Sequence, residues 1–233
     1  MPRHRTQPAA ALEGAKRVTA VRPDRRIPGN VIIEINDTRF ASLPVDVASS
    51  FDVTANSELS AELYARLSRA AGVEAAYLVA VRLLAARPRA VNELLRRLRD
   101  RGHNPSEAAE AVGRLESKGL LDDAEYARHF ARVRLSRGHG PPRILTDLLS
   151  HGVERRLAER AIDEVADREG FDSMEQARLL AERRLAQLGD LPSKKLQRRL
   201  LAYLARRGFR GWEVRELVGA VARGAERGEQ AVE

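Results

Sequence analysis

The sequence predicts a mainly α-helical protein: three tandem three-helix repeats in an elongated, curved array, preceded by a small N-terminal module of a β-hairpin and a helix. Two observations predict this fold class. The C-terminal two-thirds is dense in helix formers and repeats one apolar pattern three times, whereas the stretch before it is rich in β-branched residues around a turn. Helical repeats of this length gain stability by stacking on their neighbours, which predicts the elongated array.

The repeat is defined by three glycines, Gly102, Gly152 and Gly208. In all three copies the positions eight, seven and four before the glycine, and ten and thirteen after it, are apolar. These spacings place the side chains on one stripe of two successive helices, and the glycine supplies the left-handed C-cap between them. A further helical stretch precedes each pair of helices, at 76–87, 124–137 and 173–188.

The N-terminal module is expected at residues 29–75. Residues 31–43 are rich in β-branched side chains on either side of Asn36 and Asp37, which predicts a β-hairpin. Leucines at every fourth position then predict a helix over residues 57–71 with Ser57 as its N-cap.

The remaining boundaries follow from composition. Residues 1–28 mix arginine, proline and alanine without apolar periodicity, which predicts a basic flexible extension. The three repeats are expected at 76–121, 122–172 and 173–225, and residues 226–233 are expected to form a flexible tail.

Composition limits the classes of function. The net charge of +8 predicts attraction to polyanions, of which nucleic acid is the commonest in cells. Aromatic residues make up only 4% of the chain, which argues against a binding mode based on stacking of unpaired bases. The sequence contains no cysteine and no apolar run long enough to span a membrane, so a cytoplasmic protein without a membrane partner is expected. A monomer is expected by default, since the sequence itself leaves the oligomeric state open.

Catalytic signals are weak in this sequence. The five histidines are scattered, and no HExxH, GxxxxGK[ST], GxSxG or GxGxxG motif occurs. Asp122 and Asp123 form an acidic pair at a predicted helix start, where capping is the favoured role over metal binding. We therefore expect no enzymatic activity, no cofactor and no metal site. An enzyme stays an alternative that a metal- or nucleotide-dependent activity would support.

The basic residues show more organisation. On a helical wheel of residues 193–207, five cations fall within one arc of about 140°, opposite an apolar stripe. The net charge is +4 for residues 77–121, −2 for 122–172 and +5 for 173–233, so the terminal repeats are basic and the middle one is not. The candidate nucleic-acid contacts are Arg96, Arg97, Arg99, Arg101, Arg137, Arg143, Lys194, Lys195, Arg198, Arg199, Arg206 and Arg207.

Several short motifs resemble those of one family, the RecX recombination regulators. Residues 83–103 and 115–127 are similar to the signature of its first repeat. Residues 137–144 resemble the arginine, glycine and proline start of a helix in its second repeat, and residues 201–209 resemble the closing motif of its third. The resemblance covers about residues 77–222 and depends on the order and spacing of the motifs.

The resemblance implies a regulator of homologous recombination, DNA repair and the SOS response. Such a protein binds the RecA–DNA filament, contacts single- or double-stranded DNA, and modulates or inhibits filament growth, ATP hydrolysis and strand exchange. The twelve basic residues are then candidate filament contacts. Two alternatives remain open: a stand-alone DNA-binding protein with helix-turn-helix-like repeats, and a general helical-repeat scaffold for which the charge is incidental.

Overall fold

A four-stranded antiparallel sheet begins the fold. The computed structural model describes residues 15–189 and 191–230. The sheet has the strand order β3-β2-β1-β4. Its strands are β1 (Lys16–Pro23), β2 (Asn30–Ile35), β3 (Thr38–Pro44) and β4 (Glu58–Leu59), and the short helix α1 (Val45–Ser49) follows β3.

The predicted hairpin is confirmed as β2 and β3. Asn36 and Asp37, the two residues between the strands, have positive φ values of 48° and 59°. Turns of this type match the right-handed twist of the flanking strands, which explains why asparagine and aspartate occur here. Val18, Ile33 and Leu43 point from three strands into a hydrophobic core. The start of the long helix that follows β4 covers this core.

Two N-terminal expectations are wrong. The predicted flexible extension is in part a strand, because Lys16–Pro23 pairs with β2 and β4; residues 1–14 lie outside the described part. The predicted helix at 57–71 and the first helix of repeat 1 form one continuous helix, α2 (Ala61–Ala86). Ser60, not Ser57, accepts a hydrogen bond at its start, from the Leu63 amide at 3.1 Å. The expected boundary at 75/76 therefore falls inside a helix.

The rest of the described chain is helical and forms the three expected repeats. In repeat 1, the end of α2 is followed by α3 (Val91–Arg99) and α4 (Pro105–Ser117). Repeat 2 contains α5 (Asp123–Ser136), α6 (Pro141–Ser150) and α7 (Arg155–Glu169), and repeat 3 contains α8 (Ser173–Leu188), α9 (Ser193–Arg207) and α10 (Trp212–Gln230). Helix α10 extends past the expected tail boundary at 225, and residues 231–233 lie outside the described part.

Helix ends follow the predicted chemistry. Gly102, Gly152 and Gly208 have φ values of 85°, 89° and 99°, the left-handed conformation predicted for all three. Asp122 caps α5 by accepting from the amides of Ala124 and Glu125 at 2.8 and 2.9 Å. The capping interpretation of Asp122 is thus confirmed.

The described chain divides into two compact units. One contains the sheet and residues up to Leu83 with Arg97–Leu115, and the other contains Leu84–Arg96 with the chain from Glu116 onward. In the first unit, α2 and α4 are joined by the buried Glu74, which pairs with Arg114 at 3.0 Å. In the second unit, α5–α7 pack around Ile144 and Leu148. No helix among the described residues is long and apolar enough to cross a membrane.

Two of the repeat glycines also join successive repeats within the second unit. Asn92, at the start of α3, donates to the Gly152 carbonyl at 2.8 Å, and a Cβ on Gly152 would lie 2.7 Å from the Asn92 Cβ. At the next junction the Gly140 amide donates to the Arg207 carbonyl at 2.8 Å, and a Cβ on Gly208 would lie 2.6 Å from the Arg143 Cβ. Each glycine therefore serves both a helix end and a tight contact with the preceding repeat.

Candidate nucleic-acid interface

Helix α9 carries the largest group of predicted contact residues. Pro192 precedes it as the N-cap, and Leu196, Leu200 and Leu204 bury one side against α8 and α10. The opposite side is the α9 basic face, which consists of Lys194, Lys195, Arg198, Arg199 and Arg206, all exposed. Among the described residues none of these five forms an ion pair. Their charge is available to an external anion.

Arg207 has a different role from its neighbours. Its guanidinium donates to the main-chain carbonyls of Arg137 and Gly138 at 2.8 and 3.3 Å and lies 4.9 Å from the Tyr203 ring centroid. These carbonyls follow the end of α5, so Arg207 satisfies acceptors there and ties repeat 3 to repeat 2. Its position on the wheel, near the apolar stripe, is the signal that separates it from the basic face. Arg137 takes part through its carbonyl, and its side chain is exposed.

A groove of roughly 650 Å³ continues the cationic surface from α9 to α6. We call it the basic groove; its lining residues are His139, Pro142, Arg143, Thr146, Ala205, Arg206, Gly208 and Arg210. The close contact of Gly208 with Arg143 brings arginines of repeats 2 and 3 together here. Arg143 is partly neutralised by Asp147, at 3.1 Å. Sequence reasoning missed Arg210, which lies in a loop outside any helical periodicity.

His139 is the one histidine among the lining residues of the basic groove. Its Nδ1 is buried and has no hydrogen-bond partner among the described residues. Burial lowers the pKa of His139, interaction with the Arg134 main chain opposes this shift, and the guanidinium groups of Arg134 and Arg207 lower the pKa further. The neutral imidazole is thus favoured, so the groove's positive charge comes from its arginines.

A second depression adjoins the basic groove. The apolar recess, of roughly 370 Å³, is lined by Leu201, Ala202, Ala205, Phe209, Arg210, Gly211, Val214 and Arg215. Ala205 and Arg210 line both depressions, so the two form one continuous surface. We call the basic groove and the apolar recess together the cationic strip, because its lining combines arginine side chains with apolar ones.

The first-repeat candidates fall in different units. Arg96 is exposed and belongs to the second unit; Arg97, Arg99 and Arg101 belong to the first. Arg101 donates to the Arg97 carbonyl at 3.1 Å, and Arg99 is exposed. In the first unit these residues supply positive charge at the end of α3.

Buried charge within the second unit was also missed from the sequence. The Glu93 carboxylate, 2% exposed, accepts from Arg87 and Arg89 at 2.6 Å each. Close by, the Tyr126 hydroxyl and His151 Nδ1 share a hydrogen bond of 2.8 Å. Burial raises the pKa of Tyr126 and lowers that of His151. This cluster joins α3, α5 and α6, and its two guanidinium groups share one carboxylate inside the protein.

Three helical repeats with an unpaired cationic face define a helical-repeat binding protein, and comparison with known proteins gives its family. Family models for the first, second and third three-helix domains of RecX match residues 76–115, 122–162 and 172–218. The chain therefore belongs to the RecX family of regulatory proteins, as the sequence motifs predicted.

Relatives and solved structures agree. The chain is 37% identical to a regulatory protein RecX of Halorhodospira halophila over 158 residues, which are 68% of this chain and 95% of that protein. It is 36% identical to one of Amycolatopsis mediterranei, covering 54% and 71% of the two chains. Its fold matches a crystal structure of a regulatory protein RecX with a TM-score of 0.67 at 19% identity, covering 88% and 99%. A RecX structure from Lactobacillus salivarius matches with a TM-score of 0.54 at 20% identity, covering 64% and 96%.

Proposed function

We propose that this chain is a non-enzymatic cytoplasmic regulator that binds the RecA–DNA filament as a monomer and limits its growth, ATP hydrolysis and strand exchange. Membership of the RecX regulatory family supports the class of function. The observation that carries the DNA contact is the α9 basic face, because its five cations have no ion-pair partner among the described residues.

The charge distribution supports different binding partners for repeats 2 and 3. Residues 122–172 contain more acidic than basic residues, whereas 173–233 have a net charge of +5. DNA-phosphate binding releases counterions in proportion to the cations that reach phosphates. In this proposal repeat 3 contacts DNA, with the basic groove extending that contact, and repeat 2 faces RecA protein.

The test is a charge reversal on α9 with a matched control. Lys194→Glu with Arg198→Glu changes two exposed, unpaired cations four residues apart; Arg156→Glu with Arg160→Glu makes the same change on α7. The α9 variant should bind RecA filaments on single-stranded DNA more weakly, and the dependence of log K on log salt should flatten by about 0.7 for each lost phosphate contact. Because α7 belongs to the repeat proposed to face RecA protein, the control concerns the salt slope alone: the α7 variant should retain the slope of the unmodified protein whatever its affinity.

Binding to naked duplex separates the rival function. A stand-alone DNA-binding protein would bind duplex tightly without RecA, whereas a filament regulator requires RecA for its tight binding. An α9 variant whose filament affinity and salt slope equal those of the unmodified protein would remove this helix from the interface and contradict the DNA part of the proposal.

A further inference from the structure

Trp212 is the only tryptophan of the chain, and the structure leaves it on the surface. It opens α10 and is 69% exposed, the largest exposed fraction among the exposed large apolar side chains of the described residues. Burial of a tryptophan stabilises a fold by far more than burial of most side chains. Because Trp212 is exposed, its large apolar surface does not contribute to the core.

The surroundings of Trp212 supply positive charge on one side. Arg210 and Arg215, two residues before and three after it, line the apolar recess, and Arg210 also lines the basic groove. Arg215 is exposed and forms no ion pair among the described residues. Residues three apart on a helix are neighbours, so Trp212 and Arg215 lie side by side at the end of the cationic strip.

The two acidic residues in the first turns of α10 lie on the side toward α8, and Glu216, four residues after Trp212, is also its neighbour along the helix. Glu213 and Glu216 line a separate depression against Arg178 and Glu182 of α8. The side of Trp212 toward α9 is thus cationic and apolar, while the side toward α8 carries the carboxylates. A phosphate chain would be attracted to the first side only.

We propose that Trp212 is a stacking platform for an unpaired base of single-stranded DNA whose phosphates lie along Arg206, Arg210 and Arg215. An exposed aromatic ring beside a cationic groove is the combination that non-specific single-strand binding uses: arginines hold the backbone and the ring takes a base. A duplex offers the same phosphates, but its bases are stacked on each other. The platform therefore selects single strands. This proposal rests on the proposed function in taking DNA as the polyanion of the basic groove.

The unique tryptophan gives a direct readout. Full-length protein without RecA is titrated with oligothymidine and, separately, with a mixed-sequence duplex, and its intrinsic fluorescence is followed. Oligothymidine should quench the emission as a base stacks on the indole, and the duplex should leave it nearly unchanged at equal occupancy. Equal quenching by both would overturn the proposal, because it would place the ring against a feature that duplexes share.

Variants test whether the ring contributes affinity, measured by anisotropy of labelled oligothymidine and duplex. Trp212→Leu should weaken oligothymidine binding roughly five-fold or more and duplex binding less than about two-fold, whereas Trp212→Phe, which keeps a ring, should stay within about three-fold of the unmodified protein. Leu179→Ala is the control, since it removes an exposed apolar side chain elsewhere in repeat 3. It should leave both affinities unchanged.

Salt dependence separates failure of this proposal from failure of the proposed function. Stacking releases no counterions, so the loss caused by Trp212→Leu should be the same at about 50 and about 200 mM salt, while Arg206→Glu with Arg210→Glu should flatten the salt slope. Unchanged oligothymidine binding by Trp212→Leu, with weakened binding by the arginine variant, would overturn the platform and keep the DNA contact. Unchanged binding by both variants would overturn both.

Discussion

Helix α5 of repeat 2 and helix α9 of repeat 3 use their basic residues in opposite ways. In repeat 2, Arg128, Arg132 and Arg134 pair with Glu125, Glu169 and Asp147 at 3.0, 3.1 and 3.7 Å. In repeat 3, the α9 basic face has no such partner among the described residues. A count of basic residues does not separate these two situations, since both repeats are rich in arginine. The pairing of each cation shows which charges are matched within the fold and which can attract another molecule.

The largest expected effect on stability is the difference between removing a paired charge and removing an unpaired one. Glu93→Gln leaves Arg89, 7% exposed, without its carboxylate, and should lower the free energy of unfolding by about 3 to 5 kcal/mol. Lys194→Ala should change it by no more than about 0.5 kcal/mol, because that side chain is exposed and unpaired. Urea denaturation measures both. Similar costs for the two variants would show that pairing does not separate structural from available charge.

The second-largest expected effect on stability is at the junction between repeats 2 and 3. Gly208→Ala should cost about 2 to 4 kcal/mol, because it adds left-handed backbone strain and places a methyl group 2.6 Å from the Arg143 Cβ. Gly102→Ala is the matched control: its φ is also positive, but a Cβ there meets no described atom within 4 Å. It should cost about 1 kcal/mol, from strain alone. Thermal or urea unfolding of both variants measures the difference, and equal losses would contradict a packed junction at Gly208.

The smallest effect concerns pH. Burial lowers the folded-state pKa of His151 below its usual value of 6.5, although the Glu93 carboxylate opposes the shift. Between that folded-state pKa and 6.5 the unfolded chain binds more protons, so the free energy of unfolding should decrease as pH falls through this window. His151→Gln keeps a polar group near the Tyr126 hydroxyl and does not titrate. Its stability should fall less between pH 7 and pH 5, as urea unfolding at the two pH values would show.

The sequence predicted the parts of the fold that depend on local signals. The hairpin at Asn36-Asp37 and the left-handed glycine caps follow from backbone preferences, and the repeats follow from apolar spacing. Strand β1 was missed because it gains its order from distant partners in β2 and β4. The break expected within α2 was wrong, since continuous helix formers allow a single helix there.

The candidate site was only partly predictable for the same reason. A helical wheel identifies the α9 basic face, because the alternation of cations and leucines lies within one helix. The basic groove depends on the close approach of Gly208 to Arg143, which are far apart in sequence. The low aromatic content argued against stacking. Composition counts the aromatic residues, but it does not show that one ring is exposed beside arginines.

The most direct test of the central claim is the effect of the purified protein on RecA-driven, DNA-dependent ATP hydrolysis, followed by strand exchange. At stoichiometric ratios to RecA the unmodified protein should lower both rates, and the Lys194→Glu, Arg198→Glu variant should lower them less at equal concentration. Unchanged ATP hydrolysis and strand exchange at stoichiometric ratios would contradict the proposal that this chain regulates the RecA filament.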